Sequence, residues 1–122
     1  MARPLALIIE DNVEIADIYA TTLNLAGYEA ESIVDGKAAL DRLDGNAPDL
    51  VILDMNLPQV SGNYIYNRIR GDARLAEIPI IISTANMLMA EALSQNPSPF
   101  DYILVKPVSP QRLRELVKSL AP

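Results

Sequence analysis

The sequence predicts an α/β fold built on a parallel sheet with helices on both faces. Short apolar runs alternate along the chain with segments whose apolar residues recur at helical spacing. Five strand–helix units of this kind require a parallel sheet, because right-handed crossovers place helices on both of its faces. The 122 residues are enough for one domain with a single sizeable core.

The first elements follow from apolar patterning. Strand one is expected at Leu5–Ile9, an unbroken apolar run of the kind that parallel sheets bury. Helix one is expected at Asn12–Ala26, where apolar residues recur at helical spacing, and Gly27 is a plausible stop. Strand two, at Tyr28–Ile33, alternates charged and small residues, which is typical of an edge strand.

The middle of the chain repeats this order. Helix two is expected at Lys37–Leu43, after a turn at Asp35-Gly36. Strand three, at Leu50–Asp54, is apolar up to its last residue, which indicates a central position in the sheet. Helix three is expected at Gly62–Arg70 and is followed by a polar loop over residues 71–77.

Two further units complete the fold. Strand four is an isoleucine-rich run that ends in hydroxyl residues, and helix four is stopped by a segment containing two prolines. Ser109 and Pro110 form a standard helix start before helix five, which runs to about Leu120. The expected bounds are Ile78–Ser83 for strand four, Met87–Gln95 for helix four and Tyr102–Val105 for strand five.

Composition excludes several classes of site. The chain has no cysteine and no histidine, so any metal must be held by oxygen atoms, which indicates Mg²⁺, Mn²⁺ or Ca²⁺. A net charge of −6 without a basic run argues against direct DNA binding. The apolar runs are too short to span a membrane and no signal peptide precedes strand one, so a cytoplasmic location is expected.

Charged and hydroxyl residues stand where the predicted strands end. Glu10 and Asp11 follow strand one, Asp54 ends strand three, Thr84 follows strand four and Lys106 follows strand five. Open α/β sheets place their sites at the carboxyl ends of the strands. Three carboxylates with a hydroxyl and a lysine therefore suggest a divalent-cation site that handles a phosphoryl group.

Asp54 is interpreted as a carboxylate nucleophile that forms an acyl phosphate. The alternative is an ordinary strand-end aspartate that caps a loop. Attack on a phosphoryl group requires that the negative charges of nucleophile and phosphate be neutralised, and a metal ion and a lysine do this together.

Glu10 and Asp11 have a structural alternative, since Asp11 could cap helix one and favour its dipole. Beside Asp54, however, these carboxylates would repel strongly unless a cation separates them. The hypothesis is that Asp11 and Asp54 each give one carboxylate oxygen and that Asn56 gives its main-chain carbonyl. Glu10 is expected to act through a metal-bound water, since Mg²⁺ keeps several waters.

Lys106 and Thr84 are expected to contact phosphoryl oxygens. The alternatives are a surface lysine and a plain cap before helix four. Ser83, one residue before Thr84, should point to the other side of the strand.

Together these residues resemble the receiver domain of two-component response regulators. The resemblance covers essentially the whole chain, and four motifs in the right order carry it. They are Glu10-Asp11-Asn12, Asp54-Met55-Asn56-Leu57-Pro58 with Gly62, Ser83-Thr84-Ala85, and Lys106-Pro107.

The resemblance implies a flavodoxin-like, doubly wound (βα)5 sheet with strand order 2-1-3-4-5. It implies that Asp54 accepts a phosphoryl group from the phosphohistidine of a histidine kinase or histidine phosphotransfer protein. Mg²⁺ (or Mn²⁺) would be held by Asp11, Asp54 and the Asn56 carbonyl, and Thr84 and Lys106 would contact the phosphoryl oxygens. The Lys106–Pro107 peptide would be cis, and the domain would catalyse only its own phosphorylation and dephosphorylation.

Two features depart from the family pattern on the signalling side. Receivers often carry an aromatic residue three positions before the strand-five lysine, where this chain has Ile103, while Tyr102 should face the opposite way. The loop before strand five contains Pro97 and Pro99 instead of a small-Gly-small turn, so it should be stiff.

Helix four also indicates a partner surface. Met87, Leu88 and Met89 cannot all face inward on one helix, so at least one should be exposed. The expected contact with a downstream protein lies on the face of helix four, strand five and helix five. A monomer or a weak, phosphorylation-dependent dimer is expected.

The leading interpretation is a single receiver domain over residues 1–122 without an output domain. The chain could equally be a receiver excised from a longer regulator or hybrid kinase. A phosphatase of the haloacid-dehalogenase type is the enzyme alternative, but those proteins usually carry a second aspartate where this chain has Asn56. A pseudo-receiver with an unused site is the third alternative.

Overall fold

The computed structural model describes residues 3–95 and 98–120. In these residues, strands and helices alternate strictly along the chain. The strands are β1 Leu5–Ile9, β2 Glu29–Ile33, β3 Leu50–Asp54, β4 Ile80–Thr84 and β5 Asp101–Val105. The helices are α1 Val13–Leu25, α2 Gly36–Leu43, α3 Gly62–Arg70, α4 Met87–Gln95 and α5 Pro110–Ser119.

The strands form one parallel sheet in the order β2-β1-β3-β4-β5. This confirms the predicted α/β class, the doubly wound flavodoxin-like architecture and the strand order. β2 lies at an edge and β3 at the centre, as their residue patterns indicated. The strands are parallel and in register, with Asp54 opposite Ser83. Their carboxyl ends therefore lie together along one end of the sheet.

Apolar side chains bury both faces of the sheet. On one face, α1 and α5 contribute Leu23 and Val117 to a cluster that includes Ile8 and Ile52. On the other face, buried residues of α2 and α3 join strand residues in a second cluster, and α4 packs against this cluster. That cluster is formed by Leu7, Ile9, Ile33, Ala39, Leu43, Val51, Leu53, Met55, Ile65, Ile69, Leu75, Ile80 and Ile82.

The predicted bounds of three strands were wrong by one or two residues. β2 begins at Glu29, one residue later than predicted. β4 begins at Ile80 instead of Ile78, because Ile78 N–H bonds to Leu75 O in a turn and Pro79 has no N–H to give to the sheet. It ends at Thr84, which pairs with Val105, instead of at Ser83. β5 begins one residue earlier than predicted, at Asp101.

The starts of α1 and α2 also differ slightly from the predictions, and α1 ends at Leu25, one residue before the predicted end. Asn12 precedes α1 as its N-cap and accepts a hydrogen bond from Ile15 N–H at 3.1 Å. Asp35 caps α2 in the same way, so that helix begins at Gly36. The predicted stop of helix four falls partly on Asn96 and Pro97, which lie outside the described residues.

A polar network lies at the amino ends of the strands, opposite the carboxyl ends that carry the acidic residues. Arg70, the last residue of α3, donates to Ala76 O at 3.0 Å and Ile78 O at 2.8 Å. The same guanidinium pairs with the largely buried carboxylate of Asp101, which also accepts a hydrogen bond from the Tyr66 hydroxyl. Because a buried ion pair is costly to break when one partner is removed, this network ties α3 to the start of β5.

Within the described parts of the chain, no helix combines the length and the apolar character needed to cross a membrane.

Candidate functional site

The carboxyl ends of β1, β3 and β5 bring four charged side chains together. One carboxylate oxygen each of Glu10, Asp11 and Asp54 lies within 4.8 Å of the other two. Lys106 Nζ lies 2.8 Å from Glu10 Oε1 and 3.4 Å from Asp54 Oδ2. Glu10 is 1% exposed and Asp54 2%, whereas Asp11 is exposed. The structure therefore brings the predicted acidic cluster together, with one ammonium group beside Glu10 and Asp54.

The loop after β3 fixes the Asp54 carboxylate. Asn56 N–H donates to Asp54 Oδ1 at 3.0 Å. Gly62, the first residue of α3, packs directly beneath, where an added Cβ would lie 2.5 Å from Met55 Cα and 2.6 Å from Asp54 O. Both neighbours are backbone atoms, so no larger residue fits without moving the chain that carries Asp54.

Glu10 is bound on both carboxylate oxygens. Oε2 accepts a hydrogen bond from Asn12 N–H at 3.2 Å, and Oε1 faces Lys106. The pKa of Glu10 is raised from 4.5 to about 7, chiefly by burial and to a smaller extent by the nearby Asp54, while the Lys106 and Asn12 hydrogen bonds act in the lowering direction. The direct pairing of Glu10 with Lys106 was not among the sequence predictions.

Lys106 is held in its charged form. Burial acts to lower its pKa, but the carboxylates of Glu10 and Asp54 outweigh burial and raise the pKa above its ordinary value. A cation that stays protonated at neutral pH is suited to bind a phosphoryl oxygen.

Thr84 is fully buried at the tip of β4. Its Oγ1 accepts a hydrogen bond from Asn86 N–H at 3.0 Å and donates to Met89 Sδ at 3.9 Å. Ser83 instead lies near the Tyr19 hydroxyl of α1, at 3.4 Å, so the two hydroxyls face different sides of the strand as predicted. Sequence reasoning did not find the Thr84–Met89 contact, because a weak hydroxyl–thioether pair has no sequence pattern.

Other residues fill the two helix-capping roles that were considered as alternatives for Asp11 and Thr84. The N-cap of α1 is Asn12, so Asp11 is not needed for that purpose. Asn86 Oδ1 accepts from Met89 N–H at 3.1 Å at the start of α4, so Thr84 is not the cap of that helix. Asp11 and Thr84 thus remain available for other chemistry.

A cleft of about 370 Å³ opens beside Lys106, between α1 and the loop after β5. Its walls are apolar except for Lys106, and Ile18 of α1 is half-exposed there. The Lys106–Pro107 peptide bond that borders this cleft is cis, as the family resemblance implied. The lining residues are Ile15, Ile18, Tyr19, Ala85, Lys106, Pro107 and Val108.

The face formed by α4 and β5 has the arrangement predicted for it. Ile103 and Tyr102 pack against the clusters on opposite faces of the sheet. On α4, Met87 is 57% exposed and Leu88 77%, whereas Met89 is half-buried against the same cluster as Ile103. The expectation that at least one of the three large residues is exposed is confirmed.

The oxygen-rich cluster fits a small divalent cation. Its donors are carboxylates from separate strand tips, and hard cations such as Mg²⁺ prefer such oxygen ligands. Three carboxylates this close would otherwise repel one another, and Lys106 supplies only one positive charge against them. The donor set therefore leaves charge for a cation to neutralise.

Comparison with known proteins gives a consistent result. A family model described as "Response regulator receiver domain" matches residues 6–118. The DNA-binding dual master transcriptional regulator RpaA of Synechocystis sp. is 33% identical over 117 residues, which are 96% of this chain. The chain spans about half the length of that relative, 48%.

Shorter proteins match over nearly their whole length. The chemotaxis protein CheY1 of Helicobacter pylori is 33% identical over 111 residues, which cover 89% of this chain and 90% of that protein. The crystal structure of a putative response regulator from Chloroflexus aurantiacus superposes with a TM-score of 0.84 at 29% identity and covers 97% of both chains.

Proposed function

The chain belongs to the response regulator receiver domain family, and we propose that it is the phosphoacceptor of a two-component phosphorelay. Asp54 would accept a phosphoryl group from the phosphohistidine of a histidine kinase or histidine phosphotransfer protein. The observation that carries this proposal is the buried Asp54 carboxylate, held 3.4 Å from Lys106 Nζ within a cluster of acidic oxygens.

The proposed step is an in-line transfer. An oxygen of the Asp54 carboxylate attacks phosphorus, and the bond from phosphorus to the imidazole nitrogen breaks. That nitrogen keeps the bonding electrons and is protonated by solvent, while Asp54 becomes an acyl phosphate. Asn56 N–H, at 3.0 Å from Oδ1, orients the nucleophile. Lys106 and the Thr84 hydroxyl would bind phosphoryl oxygens as charge develops there.

Mg²⁺ or Mn²⁺ would be held by Asp11, Asp54 and the main-chain carbonyl of Asn56. When bound, the cation neutralises charge shared by the nucleophile and the incoming phosphoryl group. Glu10 is proposed to act through a water, because both of its oxygens already have partners in Asn12 and Lys106.

This chemistry is that of a signal receiver and not of an enzyme with an external substrate. Phosphatases of the haloacid-dehalogenase type usually place a second aspartate two residues after the nucleophile. Here that residue is Asn56, whose amide cannot serve as a general acid.

We propose that the phosphoryl donor docks over α1. A phosphohistidine must reach Asp54 at the strand tips, so its protein has to cover the neighbouring surface. The apolar cleft beside Lys106, with half-exposed Ile18 on its rim, offers the apolar contact that such docking needs.

Output is proposed to pass through the face formed by α4, β5 and α5. Exposed Met87 and Leu88 give this face flexible apolar contact area. With a net charge of −6, the described domain is proposed to act on a protein and not on DNA directly.

Intact mass spectrometry after incubation with acetyl phosphate and Mg²⁺ tests the proposed chemistry. We expect a gain of one phosphoryl group in the wild type, and no gain in Asp54→Asn or with the metal chelated. No adduct under any condition would instead make this chain a pseudo-receiver. Sustained hydrolysis of an added phosphate ester would favour the phosphatase.

A further inference from the structure

Thr84 and Met89 connect the candidate site directly to α4. The Thr84 hydroxyl donates to Met89 Sδ at 3.9 Å, while its oxygen accepts from Asn86 N–H. Thr84 is fully buried, and Met89 is half-buried against the cluster that also contacts Ile103. A side chain of the proposed output helix therefore touches a site residue without an intermediate.

The Thr84 hydroxyl can serve only one acceptor at a time, because it carries a single proton. This inference rests on the proposed function, under which the Thr84 hydroxyl donates its hydrogen bond to a phosphoryl oxygen once Asp54 is phosphorylated. An anionic oxygen is a strong acceptor and a thioether sulfur a weak one, so the competition favours the phosphoryl group. The contact with Met89 Sδ is then lost.

We propose that Met89 is the positioning residue through which α4 responds to phosphorylation of Asp54. Once released, its unbranched side chain can repack against the cluster it shares with Ile103, and α4 moves with it. Met87 and Leu88 lie on the same helix and are largely exposed, so this movement changes the surface offered to a partner.

Ile103 is poorly suited to the same task. Its side chain has no atom that can accept a hydrogen bond from Thr84, and its β-branch makes χ1 stiff. The family's usual aromatic position is thus occupied by a residue that packs but does not compete for the hydroxyl. Met89 offers both an acceptor and flexibility.

Methyl NMR of the protein labelled at methionine tests the proposal, with intact mass measured on the same sample. The chain has only four methionines, so assignment by single substitution is practical. On addition of acetyl phosphate and Mg²⁺, the Met89 and Met87 methyl resonances should both shift in the wild type. In Met89→Leu, a swap of similar volume, the phosphoryl gain should persist and the Met87 shift should fall to less than half.

A second variant tests the contact without any phosphoryl group. Thr84→Val keeps the shape but removes the proton, so in unmodified protein it should move the Met89 resonance towards its phosphorylated position. Met87→Leu is the matched control on the same helix and should leave the response of Met89 intact.

The outcomes are distinguishable. A phosphorylated wild type with an unmoved Met89 methyl, or an undiminished Met87 response in Met89→Leu, would overturn the role of Met89 alone. An unmoved Met89 resonance in Thr84→Val would do the same. No phosphoryl gain in the wild type would overturn the proposed function, and the role of Met89 with it.

Discussion

Lys106 faces two buried carboxylates at once and so balances only part of the charge beside it. Its Nζ is 2.8 Å from Glu10 Oε1 and 3.4 Å from Asp54 Oδ2. The shorter contact is with Glu10, whose pKa is nonetheless raised to about 7 by burial. Burial therefore favours the protonated form of Glu10 in the absence of a cation, and protonation lessens the repulsion within the cluster.

The raised pKa of Glu10 predicts a pH-dependent stability. The folded protein binds this proton up to pH about 7, whereas the unfolded chain releases it near 4.5, so the free energy of unfolding should fall as pH rises between those values. We expect the free energy of unfolding of the metal-free wild type to fall by on the order of 1–3 kcal/mol over this pH range. The dependence of this free energy on pH should be weaker in Glu10→Gln. Urea unfolding in chelator at several pH values measures the slope.

Glu14→Gln is the control for this pH effect. Glu14 is an exposed acid in the first turn of α1, so its loss should leave the slope unchanged. Equal slopes in wild type and Glu10→Gln would contradict the assignment of the shift to Glu10.

At the scale of elements, the start of α3 fixes the backbone that carries Asp54, the proposed nucleophile. A Cβ at Gly62 would lie 2.5 Å from Met55 Cα, so Gly62→Ala must displace the backbone next to Asp54. We expect a loss of about 1–3 kcal/mol in unfolding free energy. The rate of phosphorylation by acetyl phosphate should fall at least about tenfold, because small misplacements of a reacting group are costly.

Gly71→Ala provides the comparison for Gly62→Ala at the other end of the same helix. A Cβ there would contact only Asn67 O, at 3.2 Å, so it requires a much smaller displacement of the backbone than a Cβ at Gly62. Chemical unfolding and the phosphorylation rate should change little. If both variants behaved alike, the close approach at Gly62 would not be what fixes Asp54.

The surface of α1 gives a prediction about the donor. Ile18→Glu places a charge on the rim of the apolar cleft, so transfer from a phosphohistidine protein that phosphorylates the wild type should slow about tenfold or more. Acetyl phosphate is too small to need this surface, and its rate should be unaffected. Leu25→Glu, an exposed apolar position at the far end of α1, should slow neither reaction. A loss of rate with both donors would place the effect of Ile18→Glu on the site itself.

Elements were predictable where a local pattern decides them. Apolar runs closed by a charge gave β1 and β3 with their observed bounds, and the Ser109-Pro110 signal gave the start of α5. The predicted start of β4 was wrong. Pro79 belongs to an apolar run in the sequence, but it has no N–H to donate to a hydrogen bond of the sheet. The grouping of the acidic residues with Lys106 was also predictable, because these residues follow parallel strands, whose carboxyl ends lie together.

Contacts within the site depend on the positions of side chains that sequence spacing does not define. The pairing of Lys106 with Glu10 joins the tips of two strands that are not neighbours in the sheet. The approach of Met89 to Thr84 depends on how α4 sits on the sheet. Neither distance has a signature along the chain, so both had to come from the three-dimensional arrangement.

For the whole molecule, cation binding should be linked to folding. The carboxylates of Glu10, Asp11 and Asp54 are close only in the folded state, so a cation bound there stabilises that state alone. At Mg²⁺ one hundred times its dissociation constant, we expect a gain of about 2.7 kcal/mol in unfolding free energy. Asp11→Asn should lose most of that gain, as measured by urea unfolding with Mg²⁺ or with chelator.

Asp17→Asn makes the same change of charge at an exposed position on α1 and should keep the full gain. Equal gains in wild type and Asp11→Asn would show that Mg²⁺ acts elsewhere on the protein.

The network of Arg70, Asp101 and Tyr66 lies at the opposite end of the strands from the proposed phosphorylation site. Cellular turnover of a protein follows how often it opens, whereas the duration of a signal follows how long the acyl phosphate survives. If Asp54 carries the acyl phosphate as proposed, the two quantities depend on opposite ends of the strands. We then expect substitutions around Arg70 to alter the abundance of the protein without altering the lifetime of the acyl phosphate. Selection, or an engineer, can thus set the amount of this protein and its signalling time independently.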